Sequence, residues 1–258
     1  MAIIKKFRIK SFKNLKPIIK LDKVSFSFKK RPILDTISFN LNQGEILGLL
    51  GPNGVGKSTI FNLITGLLKP NYGSIIINNK DVLNYPIAER ATEFKIGYVP
   101  QYGGYFHDLT LIENLKAIAE IQILDIKTRT STIERIISKF EFETIINIPA
   151  KFLSGGQKKK LVIALSLLNN PKVLLLDEPF AALDVLTIKM LKELIVNLQT
   201  QENISIIISD HQARDLLSVS DSAIILSNCK IIAKGTPAEL VNDKKSKEAY
   251  FGDSFKYN

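Results

Sequence analysis

Two glycine-rich segments of this chain have the residue types that bind phosphate groups. Gly51–Ser58 reads Gly-Pro-Asn-Gly-Val-Gly-Lys-Ser. In such a loop the glycines let backbone N–H groups surround phosphates, the lysine adds positive charge, and the serine hydroxyl suits Mg²⁺. Leu153–Gln157 reads Leu-Ser-Gly-Gly-Gln and precedes a helical pattern, so its N–H groups and the helix N-terminus also suit an anion. The first segment predicts a nucleotide site, and the second predicts a further anion-binding loop.

Two adjacent carboxylates follow an apolar run. Val173–Leu176 predicts a buried strand that ends at Asp177 and Glu178. Ligands bind at the carboxyl ends of strands in open α/β sheets. Asp177 is therefore predicted to hold Mg²⁺, and Glu178 to orient or deprotonate an attacking water. An acidic helix N-cap is the alternative interpretation.

The elements that must position these residues follow from the hydrophobic pattern. Glu45–Leu50 predicts a buried strand that leads into the first glycine-rich loop, and 58–68 predicts a helix closed by Lys69-Pro70. Apolar residues at helical spacing within 108–168 predict a helical insertion between strands. Further strands are predicted around Val24–Phe28, Ile37–Leu41, Ile75–Ile77, Ile96–Val99 and Ile204–Ile208, with a hairpin of Ala223–Leu226 and Lys230–Ala233. The chain is thus predicted to be an α/β core interrupted by a helical lobe.

Composition excludes several classes of protein. The 258 residues are 45% apolar, which is enough for a sizeable core, and the single cysteine, Cys229, excludes an internal disulfide and fits a reducing compartment. No apolar run approaches the roughly eighteen residues that span a bilayer. The net charge of +10 lies in residues 1–31, which hold eleven Lys and Arg and one acid. A diffuse nucleic-acid surface is therefore poorly supported, and the charge predicts a basic N-terminal arm. This arm is predicted either to lie beside anionic lipid or a membrane partner, or to form an added strand or a solvated tail.

Six motifs occur in the order found in ATP-binding-cassette (ABC) ATPases, and the resemblance covers roughly residues 20–245. They are Gly51–Ser58, Gln101, Leu153–Gln157, Asp177-Glu178, Ala182-Leu183-Asp184 and His211. The resemblance implies a P-loop ABC ATPase fold, with a RecA-like α/β core, an antiparallel β subdomain and a helical subdomain. It also implies ATP hydrolysis with Mg²⁺. The chain then divides into a basic arm (1–20), an ABC ATPase domain (21–245) with its helical lobe at about 102–168, and a C-terminal tail (246–258).

The resemblance also implies roles for single residues. Gln101 would sense Mg²⁺ or the water, and is otherwise a polar turn residue after Pro100; His211 would contact the γ-phosphate. Phe28 would stack on adenine, or else belong to the core. The implied catalytic residues are Lys57, Gln101, Glu178 and His211, and the implied Mg²⁺ ligands are Ser58, Gln101 and Asp177. The implied nucleotide contacts are Phe28, Gly51, Pro52, Asn53, Gly54, Val55, Gly56, Lys57, Ser58, Thr59, Ser154, Gly155, Gly156 and Gln157.

The Leu153–Gln157 loop would act on a second copy of the chain. In the family it supplies Ser154 and Gly156 to the γ-phosphate of ATP bound to the opposite subunit, and Asp184 would lie at the dimer interface. Lys158, Lys159 and Lys160 either form a solvated helix face or have a direct role. A homodimer is therefore expected.

Three stretches resemble the cytoplasmic ATPases of bacterial lipopolysaccharide exporters (the Lpt system): Asp177–Ala181, Ser209–His211 and Tyr250–Phe255. ATPases of branched-chain amino-acid importers are less similar in the tail, and a soluble ABC protein without a transport role is a further alternative. The exporter ATPases often have Glu where this chain has Gln157 and Pro where it has Val185.

The implied partners are integral-membrane transporter subunits, with no direct nucleic-acid contact. The chain would then be cytoplasmic and peripheral on the inner membrane. The aromatic cluster Tyr102, Tyr105 and Phe106, with His107, is predicted either to form a socket for a membrane subunit or to cap the lobe's own core.

Overall fold

Two β-sheets organise the chain in this computed structural model, which describes residues 16–252 and residue 255. The larger sheet contains β3 (Ile46–Leu50), β6 (Ile96–Val99), β7 (Val173–Asp177), β8 (Ser205–Ser209), β9 (Ser222–Ser227) and β10 (Lys230–Gly235). Its order is β10-β9-β3-β8-β7-β6, and only the β9–β10 pair is antiparallel among these described strands. Every residue of β3, β7 and β8 is buried, as expected for central parallel strands covered on both faces.

The smaller sheet is antiparallel and has the order β2-β1-β4-β5. It consists of β1 (Pro17–Phe28), β2 (Arg31–Asn42), β4 (Tyr72–Ile77) and β5 (Lys80–Asp81). Buried residues alternate with more exposed ones along much of β1 and β2, which is the pattern of a sheet with one face on the core. Because β1 begins at Pro17, the last four residues of the predicted arm belong to this sheet; residues 1–15, 253, 254 and 256–258 lie outside the described residues.

Helices flank the larger sheet and form the lobe. They are α1 (Lys57–Thr65), α2 (Ile87–Thr92), α3 (Leu111–Gln122), α4 (Ile126–Phe140), α5 (Gly155–Leu167), α6 (Val185–Glu202), α7 (Ala213–Val219), α8 (Pro237–Asn242) and α9 (Lys244–Ser246). A 3₁₀ turn covers Ala150–Phe152, and a π-helical turn covers Lys247–Phe251. Helices α3, α4 and α5 pack together as the predicted lobe. None of the described helices is long and apolar enough to cross a bilayer.

The helix after the first glycine-rich loop is shorter than predicted. It was expected at 58–68 with its end at Lys69-Pro70, but it ends at Thr65. Gly66 follows with φ 87°, a left-handed conformation that stops helices. The prediction of this boundary was wrong because the glycine, and not the proline, ends the helix.

The two faces of the larger sheet belong to different cores. Leu174 and Leu176 of β7 join the core shared with the lobe, whereas Val173 and Leu175 join the core under the smaller sheet and α1. This alternation fixes β7 between two packed layers, so the carboxylate at its end has a defined position. The predicted fold, a RecA-like core with an antiparallel β subdomain and a helical subdomain, is confirmed.

Candidate functional site

The first glycine-rich loop joins β3 to α1 in a conformation that requires glycine. Gly51 and Gly56 have φ of 149° and 109°. A Cβ at Gly51 would lie 2.5 Å from the Leu226 carbonyl oxygen, and one at Gly56 would lie 2.8 Å from Leu34 Cδ2. Helix α1 has no side-chain cap at its N-terminus. Its first N–H groups therefore remain available to an anion, and Asn53 and Ser58 are exposed at the loop surface.

The Lys57 side chain is buried and lies against this loop. Its Nζ donates to the carbonyl oxygens of Gly51 at 2.7 Å and Pro52 at 3.0 Å. Burial lowers the pKa of Lys57, while the negative charges of Glu178, Asp177 and Asp210 oppose that shift. The loop thus holds a positive charge beside its own N–H groups.

Asp177 lies at the carboxyl end of β7 and is buried. Its Oδ1 accepts a 2.5 Å hydrogen bond from Ser209 Oγ of the neighbouring strand. Its Oδ2 lies 3.5 Å from the Tyr98 hydroxyl of β6, and burial, with the Asp177 charge, raises the pKa of Tyr98 to about 12. Three adjacent parallel strands therefore fix this carboxylate.

Glu178 is held by backbone and side chain. Its φ is 47°, which is unusual for a residue with a side chain, and its N–H donates to the Ser209 carbonyl oxygen at 2.8 Å. Its Oε2 accepts from Gln101 Nε2 at 2.6 Å and lies 3.5 Å from His211 Nδ1. The alternative of a simple helix cap does not describe this carboxylate, which contacts two other predicted site residues.

His211 follows β8 and stays half exposed. Its Nδ1 lies 3.6 Å from Oδ1 of Asp210, which is fully buried and accepts from the N–H groups of Phe180 and Gln212. Burial raises the pKa of Asp210, opposed by those hydrogen bonds. The Tyr250 hydroxyl donates to the His211 carbonyl oxygen at 3.4 Å. The tail thus reaches the site, a contact that the sequence pattern did not predict.

Ser154 and Gln157 close the N-terminus of α5. Ser154 Oγ accepts from Gln157 N at 3.2 Å, and Gln157 Oε1 accepts from Ser154 N at 2.8 Å, which is a capping box. A glutamate makes the same second bond, so the Gln157 difference from exporter ATPases leaves this loop intact. Within the described residues, no hydrogen bond or ion pair joins residues 153–157 to residues 51–58.

The start of α5 lies against the start of α6. A Cβ at Gly156 would lie 2.7 Å from Thr187 Cγ2, so glycine permits this close approach. Asp184 caps α6 by accepting from Thr187 N at 3.0 Å. Val185, exposed, is the first helical residue of α6, where proline is also favoured. Two capped helix N-termini are therefore adjacent at the surface.

Phe28 ends β1, and the residue is 61% exposed. This exposure excludes the core alternative for Phe28. Lys29 Nζ lies 5.8 Å from the ring centroid. A flat apolar surface is thus open to a planar ligand.

A cavity of about 270 Å³ lies between the core and the lobe. Its lining includes Ile87 and Arg90 of α2, Tyr98 of β6, and Ile118 and Val162 of the lobe. Of the predicted aromatic cluster, Tyr102 and Phe106 are exposed, whereas Tyr105 packs on the lobe core. The core alternative therefore holds for Tyr105, and a socket for a membrane subunit stays a prediction for Tyr102 and Phe106. The cavity also lies outside the cluster, because of residues 102–107 only Gly104 lines it.

Several contacts in the site were not anticipated. Ser209 and Tyr98 orient Asp177, and Lys159 Nζ donates to the Gln101 carbonyl oxygen at 2.9 Å. The available signal for Ser209 was a serine directly after the apolar run Ile206–Ile208. Lys159 could not be distinguished from its neighbours Lys158 and Lys160, because all three fit a solvated face.

The arrangement fits a magnesium-bound nucleotide. Ser58, Gln101 and Asp177 offer hydroxyl, amide and carboxylate oxygens, the donors that Mg²⁺ prefers. The described residues contain no group of three or more His, Cys, Asp or Glu side chains that could hold a metal ion. A metal held by Ser58, Gln101 and Asp177 would take its further oxygen donors from water or from the phosphates of a ligand.

Comparisons with known proteins agree with a nucleotide-binding site. The family model described as "ABC transporter" matches residues 34–181. The lipopolysaccharide export system ATP-binding protein LptB of Haemophilus influenzae is 38% identical over 240 residues, which are 93% of this chain and 99% of that protein. LptB of Escherichia coli K12 is 36% identical over 89% of this chain and 95% of its own length.

Solved structures share the fold. CbiO1 from Clostridium perfringens, part of the ABC transporter complex cbiONQ, has a TM-score of 0.80 at 29% identity, over 90% of this chain and 93% of its own. The cassette MJ0796, solved as a dimer in a post-hydrolysis state with ADP and Pi, has a TM-score of 0.76 at 26% identity, over 85% and 98%.

Proposed function

The chain belongs to the ABC transporter family as an ATPase subunit, and we propose that it works as a homodimer that powers lipopolysaccharide export. This proposal rests on one observation: five predicted site residues contact or interact electrostatically with one another beside the Gly51–Ser58 loop. They are Lys57, Asp177, Glu178, Gln101 and His211. Similarity to LptB over nearly that protein's whole length supports the choice of cargo.

The phosphate loop would bind the ATP phosphates through its N–H groups and Lys57. The ammonium already faces carbonyl oxygens, so it would exchange weak partners for phosphate oxygens. Phe28 would stack on the adenine, and Thr59, half-buried in the first turn of α1, would face the phosphates.

Glu178 would accept the proton of the attacking water. It is largely buried, and its Oε2 is within hydrogen-bond distance of Gln101 Nε2 and near His211. These two side chains can orient both the carboxylate and the water. His211 can also donate to a γ-phosphate, because its side chain is 47% exposed on the loop after β8.

Mg²⁺ would be held by Ser58, Asp177 and Gln101. When bound, it supplies charge neutralisation for the phosphates. The Ser209 hydrogen bond uses Asp177 Oδ1, so Oδ2, which lies 3.5 Å from the Tyr98 hydroxyl, would be the oxygen that meets the metal. Gln101 donates through Nε2, which leaves its Oε1 for a metal.

The Leu153–Gln157 loop would complete the site of the second copy. Its support is that Ser154 and Gly155 are exposed, that the loop ends in a helix N-terminus, and that these described residues make no hydrogen bond to residues 51–58 of the same chain. Ser154, Gly155, Gly156 and Gln157 would therefore contact the γ-phosphate across the dimer. Asp184, at the adjacent helix N-terminus, would lie at the same interface.

The membrane subunits would dock in the cavity between core and lobe. Leu67 and Ile87 are exposed at its rim, and Tyr98 connects its floor to Asp177. An apolar segment of a membrane subunit suits this lining. The chain would then be cytoplasmic, held peripherally at the inner membrane, and we retain 102–168 as the lobe that responds to docking.

Purification of the tagged chain from membranes tests the cargo and partner assignment. Co-purification of membrane-spanning subunits, together with ATPase activity stimulated by lipopolysaccharide in reconstituted vesicles, is the expected result. Stimulation by a branched-chain amino acid and not by lipopolysaccharide would reject the cargo. Recovery with nucleic acid in place of membrane subunits would reject the transport role.

A further inference from the structure

Lys159 differs from the lysines beside it on α5. Its Nζ donates to the Gln101 carbonyl oxygen at 2.9 Å, in a half-buried position. Lys158 is also half-buried, but its Nζ donates to the Lys151 carbonyl oxygen at 3.0 Å, in an exposed hydrogen bond away from Gln101. The solvated-face interpretation of the three lysines therefore fails for Lys159.

The charge of Lys159 acts on the site from the lobe side. Burial lowers the pKa of Lys159, and the negative charges of Asp210, Asp177 and Glu178 oppose that shift. Lys57 feels the same three carboxylates from the phosphate loop. The same three carboxylates thus interact with two lysines that come from different subdomains.

Gln101 connects Lys159 to the catalytic carboxylate. Its carbonyl oxygen accepts from Lys159 Nζ, and its side-chain Nε2 donates to Glu178 Oε2 at 2.6 Å. A charge-assisted bond to the backbone restrains the residue whose side chain orients Glu178. We propose that Lys159 is a positioning residue for ATP hydrolysis, holding the Gln101 backbone so that the Gln101 amide aligns Glu178.

This role connects the two sites of the dimer, and in that respect it rests on the proposed function. Helix α5 begins at the loop that would contact ATP on the other copy, and Lys159 ties the same helix to Gln101 of its own site. Movement of α5 on closure would therefore be transmitted to Glu178 within one chain.

A double-mutant cycle on the full-length chain tests the proposal. Lys159→Gln is expected to lower kcat about tenfold, with KM for ATP changed less than about twofold, because alignment and not nucleotide binding is lost. In a Gln101→Ala background, where the link to Glu178 is absent, Lys159→Gln should lower kcat by less than about twofold. Lys158→Gln, the matched control on the same helix, should keep wild-type kcat.

A tenfold effect of Lys159→Gln in both backgrounds would overturn the proposal, because Lys159 would then act without Gln101. An unchanged kcat in Lys159→Gln would overturn it as well. Lys159→Arg keeps the charge and N–H donors, and it covers the case in which the Gln variant is unstable. A kcat within about threefold of wild type is expected, and a larger fall in a stably folded Arg variant contradicts the proposal. Absence of ATPase activity in the unsubstituted chain would instead reject the proposed function.

Discussion

At the scale of residues, the site balances three carboxylates against two lysines. Asp177, Glu178 and Asp210 lie at the carboxyl ends of neighbouring strands β7 and β8, and they interact with Lys57 of α1 and Lys159 of α5. Ordinary hydrogen bonds then give the carboxylates different environments: Asp177 accepts from a serine, Asp210 from two backbone N–H groups, and Glu178 from a glutamine. Glu178 is the most accessible of the three, which suits a base that must meet water.

Glu178→Gln is expected to lower kcat by about 10²–10⁴, because the amide cannot accept the proton of water. ATP binding should be retained, since Lys57 and the phosphate loop are unchanged. Steady-state ATPase assays and nucleotide binding measure the two effects. Glu193→Gln, an exposed position on α6, is the control with wild-type kcat. Near-normal turnover in Glu178→Gln would reject the base assignment.

Phe28→Ala is expected to raise KM for ATP about tenfold, because stacking on a base contributes about 1–3 kcal/mol. The kcat should change little, since the ring is remote from the hydrolysis residues in sequence and element. Tyr72→Ala, another exposed aromatic residue of the smaller sheet, is the matched control. An equal KM for both variants would show that Phe28 does not contact the nucleotide.

At the scale of elements, the ends of the helices differ in how their free backbone N–H and carbonyl groups are bonded. The start of α1 is uncapped where phosphate is expected, whereas α5 and α6 start with capping side chains. The end of α1 is fixed by Arg90, which is fully buried and donates to the carbonyl oxygens of Leu63, Ile64 and Tyr85. These bonds place a cation at the negative end of the α1 dipole.

Arg90→Met is expected to lower the free energy of unfolding by about 3 kcal/mol, because buried carbonyl oxygens lose charged donors. Chemical denaturation measures the change. Arg135→Met, which removes one exposed contact to Asn170, is the control and should cost less than about 1 kcal/mol. Equal losses in the two variants would show that Arg90 does not support α1.

The strands were more predictable than the contacts between subdomains. Runs made almost entirely of apolar residues identified β3, β7 and β8, because strands covered on both faces have few polar residues. Lobe helices followed from their apolar spacing. The burial of Arg90 and Asn114 could not be predicted from the sequence, because it depends on carbonyl groups that come together only in the fold. Asn114, for example, is fully buried and donates to the carbonyl oxygens of Phe106, Leu109 and Thr110. The one available signal for the burial of Asn114 was its position three residues after Leu111, on the apolar face of the same helix.

Asn114→Ala is expected to loosen the segment that joins Gln101 to the lobe. Asn114 also accepts from Phe106 N at 2.7 Å, so the substitution removes the partners of both the Phe106 N–H group and its carbonyl oxygen. The Leu109 and Thr110 carbonyl oxygens keep backbone donors, and the expected cost is about 1–3 kcal/mol. Hydrogen exchange should show faster exchange at residues 106–110. Thr130→Ala, at an exposed position of α4, is the control. If residues 106–110 exchange no faster in Asn114→Ala than in this control, the role of Asn114 is contradicted.

At the scale of the whole molecule, the two anion-binding loops lie in different subdomains. The Gly51–Ser58 loop belongs to the core, and Leu153–Gln157 belongs to the lobe, with no bond between them in the described residues. In the proposed mechanism, the site of one chain would contain the base, the metal ligands and the phosphate loop. The second loop at the γ-phosphate would come from another copy. Two copies facing each other would supply it twice.

The most direct measurement of this claim is the mass of a Glu178→Gln chain with ATP, compared with the same chain carrying Ser154→Arg. Slow hydrolysis should leave the first as a dimer with two ATP molecules. The second should remain a monomer that still binds one ATP, because its own phosphate loop is intact and only the contact to the other copy is blocked. A Ser154→Arg dimer of normal stability, or a Ser154→Arg monomer unable to bind ATP, would contradict the composite site.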